Sequence, residues 1–490
     1  MMDIEKEYMY ENRDEIDDKY KENIESMLEQ YIKLGEYEVL RSLILCNRKY
    51  IDKKKYNYYL YKFYKAIVED KRISIEEKIY KVIEFICEYI EKYDTDVDVI
   101  GTLALLLRKN LYDKEQKKKI IDILEKYSKK SKKLRASNIF LNEKEILEKK
   151  VILESKPRHI TIELTTRCNL TCIMCGFSNI ENKYKYKTIS ETFLSFFKKN
   201  ISYFERIVWQ GGEPFIYSQI YDLIDLANKN NVHQQISTNL LLINENKLKQ
   251  ICNENITLFI SIDGVTKDIY EQIRCGAKFD ILLNKLNIIS KNKNMKTIMA
   301  VVIMKLNYTQ IDDMITFAIK YKFDEIVFQK YMDKRNIDLD LESKQLNIVL
   351  EKISLYKVLS LNKEIPIKVS SSFEIKNNSY KIKKQNIPIG DKKIGEMLYE
   401  ILDILLLKEK NNKDEDYCFC YAPWTNLCLY TNDILKISCN SMDVKFKGKE
   451  LWNNEEFIKY RQMIIDKNLL LCKEECNNRG AESLSIKLGL

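Results

Sequence analysis

Between residues 159 and 329 the sequence alternates short β-branched runs with longer amphipathic ones, and this alternation constrains the fold more than any other feature. The strand-like runs are His159 to Leu164, Arg206 to Gln210, Gln234 to Ser237, Ile256 to Ile262, Thr297 to Met304 and Glu325 to Gln329. Between them lie segments with apolar residues at helical spacing, such as Ile220 to Asn228, Phe279 to Ile289 and Tyr308 to Tyr321. Strand followed by helix, repeated about six times, predicts a parallel sheet, because each helix is the crossover that returns the chain to the same edge. The predicted class is α/β, a partial six-unit TIM-type barrel, and in such sheets the loops after the strand C-termini carry the chemistry.

The flanks have a different texture. Residues 1–150 are rich in Lys, Glu, Tyr and Ile at helical spacing. Ser74 and Glu77 form a capping-box pattern, and Ile75, Ile79, Val82, Ile83, Ile86 and Ile90 then fall on one stripe. An all-α domain is predicted there, a barrel over 157–340, a connecting region with some helix over 341–415, and a small cysteine-rich α+β domain over 416–490. A formal charge of +9 over 490 residues is mild and gives no argument for nucleic acid or a membrane surface. The longest apolar run, Val99 to Leu107, is far short of the ~20 residues of a membrane span. A charged N-terminus without an apolar stretch gives a cytoplasmic expectation.

Thirteen cysteines without a secretory signal read as metal or catalytic thiols rather than as a disulfide framework. Five of them are scattered, and the others fall into two sets: Cys168, Cys172 and Cys175, then Cys418, Cys420, Cys439, Cys472 and Cys476. Only two histidines, His159 and His233, are present, which nearly excludes chemistry built on several His ligands. The first set is a CxxxCxxC pattern directly after the first predicted strand, where a barrel puts its active-site loop. Three thiolates so close in sequence can each take one corner of an iron-sulfur cubane, leaving the fourth iron open to a chelating ligand such as the amino and carboxylate groups of S-adenosylmethionine (SAM). A zinc site is the alternative, but structural zinc wants a fourth ligand that this stretch does not supply.

With the residues that follow, the chain resembles the radical SAM superfamily. Gly211-Gly212-Glu213-Pro214 after the second strand is similar to the family's GGEP motif, in which glycines admit backbone carbonyls close to SAM's ammonium and the Glu adds negative charge. Ser261-Ile262-Asp263-Gly264 looks like the SIDG element, which implies that Ser261 and Asp263 face SAM's ribose hydroxyls. The stretch from Tyr270 to Gly276 is similar to YExIRxG, whose Arg, here Arg274, approaches SAM's carboxylate. Asn239 stands in a Thr-Asn turn where relatives often have Thr-Asn-Gly, with Leu240 in place of the glycine. Asn307 follows the fifth strand at the place of a polar SAM contact, and Met174 fills a position that is often aromatic in the family.

The second set resembles the SPASM or twitch extension of radical SAM enzymes. That resemblance implies one auxiliary 4Fe-4S cluster on Cys420, Cys439, Cys472 and Cys476, although Cys472 and Cys476 are spaced Cys-x3-Cys where many relatives have Cys-x2-Cys. Four thiolates would suit zinc as well. The implied activity is reductive cleavage of SAM at a 4Fe-4S cluster, giving a 5'-deoxyadenosyl radical that takes hydrogen from a substrate. An external electron donor such as a flavodoxin or ferredoxin is implied with it. Peptide or protein modification is the first expectation, a sugar or cyclitol the second, and a non-catalytic metal-binding scaffold the competing reading from another class.

Overall fold

The computed structural model describes residues 18–34, 36–46, 53–92, 97–108, 113–176, 187–251, 255–291, 294–332, 338–373, 420–437, 443–446 and 450–466. They fall in two compact units, one built mainly on residues 1–147 and the other on 148–385 with 419–479.

In the first unit the described residues form helices α1 (Asp18–Leu34), α2 (Tyr37–Cys46), α3 (Lys53–Glu69), α4 (Ile75–Lys92), α5 (Val97–Arg108), α6 (Lys114–Lys130) and α7 (Leu134–Leu147). The capping reading holds at α4, where the Glu77 N–H donates to Ser74 Oγ at 3.2 Å. Its stripe does as well, since Val82, Ile83, Ile86 and Ile90 are buried in one apolar cluster with Leu103, Leu124 and Phe140. Burying such a side chain contributes roughly 1.5–3 kcal/mol, so this stripe rather than intrinsic propensity holds the helices together.

The second unit is built on a ten-stranded sheet: β1 (His159–Thr165), β2 (Arg206–Gly211), β3 (His233–Thr238), β4 (Ile256–Ser261), β5 (Lys296–Ile303), β6 (Glu325–Lys330), β7 (Lys368–Ser371), β8 (Asn426–Tyr430), β9 (Ile434–Lys436) and β10 (Val444–Lys445). The order is β10-β9-β8-β1-β2-β3-β4-β5-β6-β7, so the sheet is open at β7 and β10. From β8 through β1 to β7 every pairing is parallel. The six predicted strands coincide with β1 to β6 within one or two residues, and the partial-barrel class follows from them.

Helices α8 (Glu191–Asn200), α9 (Ile220–Lys229), α10 (Glu245–Ile251), α11 (Lys267–Ile273), α12 (Phe279–Lys291) and α13 (Ile311–Lys320) are the crossovers, and α14 (Ser343–Leu361) leads to β7. Phe197 of α8 meets Trp209 of β2 edge-on at 5.3 Å between ring centroids. Trp209 Nε1 donates to Gln234 Oε1 at 2.9 Å, and Gln234 donates on to Ile224 O of α9. This face of the sheet is therefore the one packed under helices.

Two parts of the chain join the sheet where the sequence pattern gave no strand. The region expected to connect the barrel to the C-terminal segment supplies α14 and β7. The segment after residue 420 adds β8 directly to β1, with His159 opposite Asn426 and Ile162 opposite Leu429. A clamp fixes this junction: the buried Arg461 of α16 (Glu455–Ile465, after the one-turn α15, Ala422–Thr425) donates to Pro423 O, Val151 O, Asn453 Oδ1 and Trp452 O. The indoles of Trp424 and Trp452 donate to Lys150 O and Ser155 O. Trp424, Trp452, Asn453 and Arg461 thus bind the C-terminal segment to the chain just before β1.

Candidate active site

The loop after β1 carries Cys168, Cys172 and Cys175 at the C-terminal ends of the parallel strands. Its path is fixed by backbone bonds to the end of α11, from Thr171 N–H to Cys275 O and from Ile173 N–H to Ile273 O, both 3.0 Å. The GGEP glycines abut the same loop. A Cβ on Gly211, whose φ is +139°, would lie 2.3 Å from Thr165 O, and one on Gly212 would lie 2.1 Å from Arg167 O. Their missing side chains let β2 close against the cysteine loop, sealed by Gly212 N–H to Thr165 O at 2.7 Å and Glu213 N–H to Arg167 O at 2.8 Å.

Glu213 is buried and accepts three hydrogen bonds, from Thr238 Oγ1 at 2.7 Å, Asn239 N–H at 2.8 Å and Phe215 N–H at 3.3 Å. Burial outweighs these bonds and pushes its pKa up to about 6. It joins the end of β2 to the turn after β3, and that turn presents Asn239. The Asn239 amide donates to Asn169 Oδ1 at 2.9 Å and lies 4.0 Å from Cys168 Sγ. Leu240, the residue in the usual glycine position, takes φ +70° and is buried completely. A leucine there accepts backbone strain of about 1–3 kcal/mol in exchange for burial of comparable worth.

Across the site, Arg274 ends α11 with its guanidinium between two acceptors. Nη2 pairs with Asp263 Oδ2 at 2.6 Å, and Nη1 reaches Cys172 Sγ at 3.9 Å. Asp263, completely buried, accepts a second bond from Val302 N–H at 2.7 Å. Asn307, also buried, braces the same corner: its amide donates to Asp263 O and Val302 O, and its Oδ1 accepts from Met304 N–H. Burial pushes the Asp263 carboxyl pKa up, and the Arg274 guanidinium beside it pulls the other way. Ser261 lies half-buried at the end of β4. Ile173 and Met174 pack against an apolar group of Ile273, Met304, Tyr331 and Leu339 beside the loop.

Of the residues that the sequence pattern singled out, the fold links Asn239 to Glu213 and Cys168, and Arg274 to Asp263 and Cys172. It also adds partners that the pattern did not single out: Asn169 inside the cysteine motif, the Thr238 hydroxyl and the Val302 N–H. No spacing rule marks these, because each is defined by a contact between distant strands. Cys420 is half-buried before α15, and Cys428 is a buried thiol on β8. Cys439, Cys472 and Cys476 lie outside the described residues.

The donor set fits an iron-sulfur cluster. Among the described residues no three His, Cys, Asp or Glu side chains converge tightly enough to hold a single metal ion. The three thiols lie along one loop, and burial first, with Cys175 adding to it, raises the pKa of Cys168 and Cys172. A cubane takes one thiolate per corner iron, and three thiols on one loop can supply three of them. Burial pushes Cys172 up to about 12, partly offset by Arg274, so the thiolate forms with metal binding. Leu170 N–H, Asn239 Nδ2 and Arg274 Nη1 supply the N–H···S contacts that stabilise such thiolates.

A parallel α/β sheet bearing three thiols on the loop after its first strand defines an enzyme class, one that works through a metal cluster at the strand C-termini. Residues 162–318 match the Radical SAM superfamily. An uncharacterised protein of Methanocaldococcus jannaschii is 28% identical over 214 residues, 42% of this chain and 74% of the relative. The mycofactocin maturase MftC of Mycolicibacterium smegmatis is 27% identical over 171 residues, 34% of this chain and 42% of MftC. A cysteine-type anaerobic sulfatase-maturating enzyme of Clostridium novyi is 27% identical over 190 residues, covering 35% of this chain and half of that enzyme. Streptococcus suis SuiB, crystallised with its precursor peptide SuiA, gives a TM-score of 0.47 at 18% identity, over 66% of this chain and 70% of SuiB. The chain therefore spans half or less of the two maturases it matches in sequence.

Proposed function

We propose that this chain is a radical SAM enzyme that modifies a peptide or protein. The observation that carries the reading is the cysteine loop, stitched to α11 with Arg274 donating to Cys172 and its trio of thiols offering three ligands to a cluster of four irons. Bound there, the 4Fe-4S cluster and SAM supply reductive carbon-sulfur cleavage and a 5'-deoxyadenosyl radical able to take a hydrogen atom. The chain's own residues hold the reactants and keep out water. Cys168, Cys172 and Cys175 ligate the cluster. Asp263 positions Arg274, and Glu213 positions Asn239. Gly211, Gly212, Glu213, Asn239, Ser261, Asp263 and Arg274 line or brace the place assigned to SAM. The apolar group around Ile173, Met174 and Met304 excludes water beside it.

Peptide or protein is put first because the matched relatives are named as a mycofactocin maturase and a sulfatase-maturating enzyme. An auxiliary 4Fe-4S cluster on Cys420, Cys439, Cys472 and Cys476, and an external electron donor, belong to the same proposal. Among the described residues no helix is long and apolar enough to cross a membrane. The cytoplasm, whose reducing conditions preserve thiol ligands, is the proposed compartment.

Anaerobic reconstitution, reduction with dithionite and chromatography for 5'-deoxyadenosine test the reading. The wild-type chain forms 5'-deoxyadenosine. Cys172→Ala forms none and loses the iron of the first site, whereas Cys472→Ala keeps that iron. An intact wild-type cluster that yields no 5'-deoxyadenosine would favour the scaffold reading.

A further inference from the structure

The sheet has a second face, opposite the one that Trp209 and Gln234 turn toward the helices. It carries Arg206, Val208 and Gln210 on β2, His233, Gln235 and Ser237 on β3, and Phe259 and Ser261 on β4. All of these are partly exposed, while the residues alternating with them on β2 and β3 are buried. This face is partly exposed, and its strands end beside the cysteine loop.

At its far end sits Arg206, a cation that no carboxylate among the described residues pairs with. Arg206, the first residue of β2, donates through Nη2 to Gln235 Oε1, while its Nε–H is buried and meets no acceptor among the described residues. The neighbouring Glu205 is taken by Arg158, and Glu325, further round the sheet, is shared by Lys296 and Lys368. His233, whose Cα is in register with that of Arg206, has its Nε2 3.2 Å from Thr257 Oγ1. Burial lowers the His233 pKa to about 4 and that of Arg206 to about 10. Burying a guanidinium so poorly compensated is unfavourable, and a buried donor left open calls for a partner.

We propose that Arg206, with Gln235 and His233 beside it, is a carboxylate-binding subsite at the floor of this open face, and that it holds the free carboxylate end of an extended peptide substrate. The inference rests on the peptide-modifying reading above and deepens it. From Arg206 to Gly211 the strand rises five residues, about 17 Å at ~3.3 Å each. A sugar-sized molecule does not span that distance, whereas an extended peptide of about five residues does. A carboxylate matches the charge and the planar fork of the guanidinium.

Calorimetry on the reconstituted holoenzyme tests this with acetyl-pentaalanine as the free acid, the same peptide as its C-terminal amide, and inorganic phosphate. The expected result is that the acid binds at least tenfold more tightly than the amide or phosphate, that Arg206→Gln removes the difference, and that Arg206→Lys keeps part of it. Equal binding of acid and amide, including no binding of either, overturns the proposal, as does phosphate binding as tightly as the acid. Survival of the acid preference in Arg206→Gln also overturns it. Should Arg206→Gln fail to fold, the wild-type comparison and Arg206→Lys decide. SAM cleavage is measured on the same wild-type preparation. A chain that prefers the acid yet forms no 5'-deoxyadenosine loses the proposed reaction and keeps the subsite.

Discussion

Replacing Glu213 by Gln separates what this carboxylate does for the fold from what it does for the site. Burial raises its pKa from 4.5 to about 6 in the folded chain. A raised carboxyl pKa means that the native state binds the proton more tightly than the unfolded one. The resulting stability is present below pH ~4.5 and is lost as pH rises through about 6. The size is 1.5 pKa units at ~1.36 kcal/mol each, or about 2 kcal/mol. Glutamine resembles the protonated form and does not titrate, so the variant gains about 2 kcal/mol on wild type between pH 4.5 and pH 7.5. Denaturant midpoints of the two metal-free chains at both pH values, converted with a common slope, read this directly. The site responds in the opposite sense. An amide NH2 facing Thr238, Asn239 or Phe215 leaves a donor against a donor, at about 1–3 kcal/mol, and loosens the turn that presents Asn239 to Cys168. SAM cleavage by the variant should fall about tenfold or more at pH 7.5 even where stability is level or improved. A stability difference between the two chains that does not change with pH would refute the reasoning.

Three further outcomes follow from the same contacts. Asp263→Asn leaves Arg274 buried without its counter-charge and should cost about 3–5 kcal/mol with reduced iron content, checked by denaturation and iron assay. Leu240→Gly relieves the positive φ, worth about 1 kcal/mol, but empties a completely buried site worth roughly 2–5 kcal/mol, so a net loss of stability is expected in thermal melts. Arg461→Met removes four hydrogen bonds to the residues around β1 and β8 and should cost about 3 kcal/mol or more, read as faster proteolysis of the C-terminal segment.

The sequence by itself determined the chemistry on offer and the repeating plan. Period-two runs separated by amphipathic ones located β1 to β6, because strand and helix periodicities are written locally. The CxxxCxxC spacing was equally local and named its thiols before any fold was known. Only the tertiary structure decided where side chains spend their hydrogen bonds. Glu213 and Asp263 look in sequence like free carboxylates for a ligand, yet the fold engages them with Asn239 and Arg274, residues from other strands and helices. The GGEP glycines likewise answer to the backbone of Thr165 and Arg167. β7 and β8 carry no signal in the sequence, because a short strand whose partners lie far along the chain has no period of its own. Arg206 shows the same limit: nothing in its sequence neighbourhood distinguishes it from a paired arginine until parallel pairing withholds the acid.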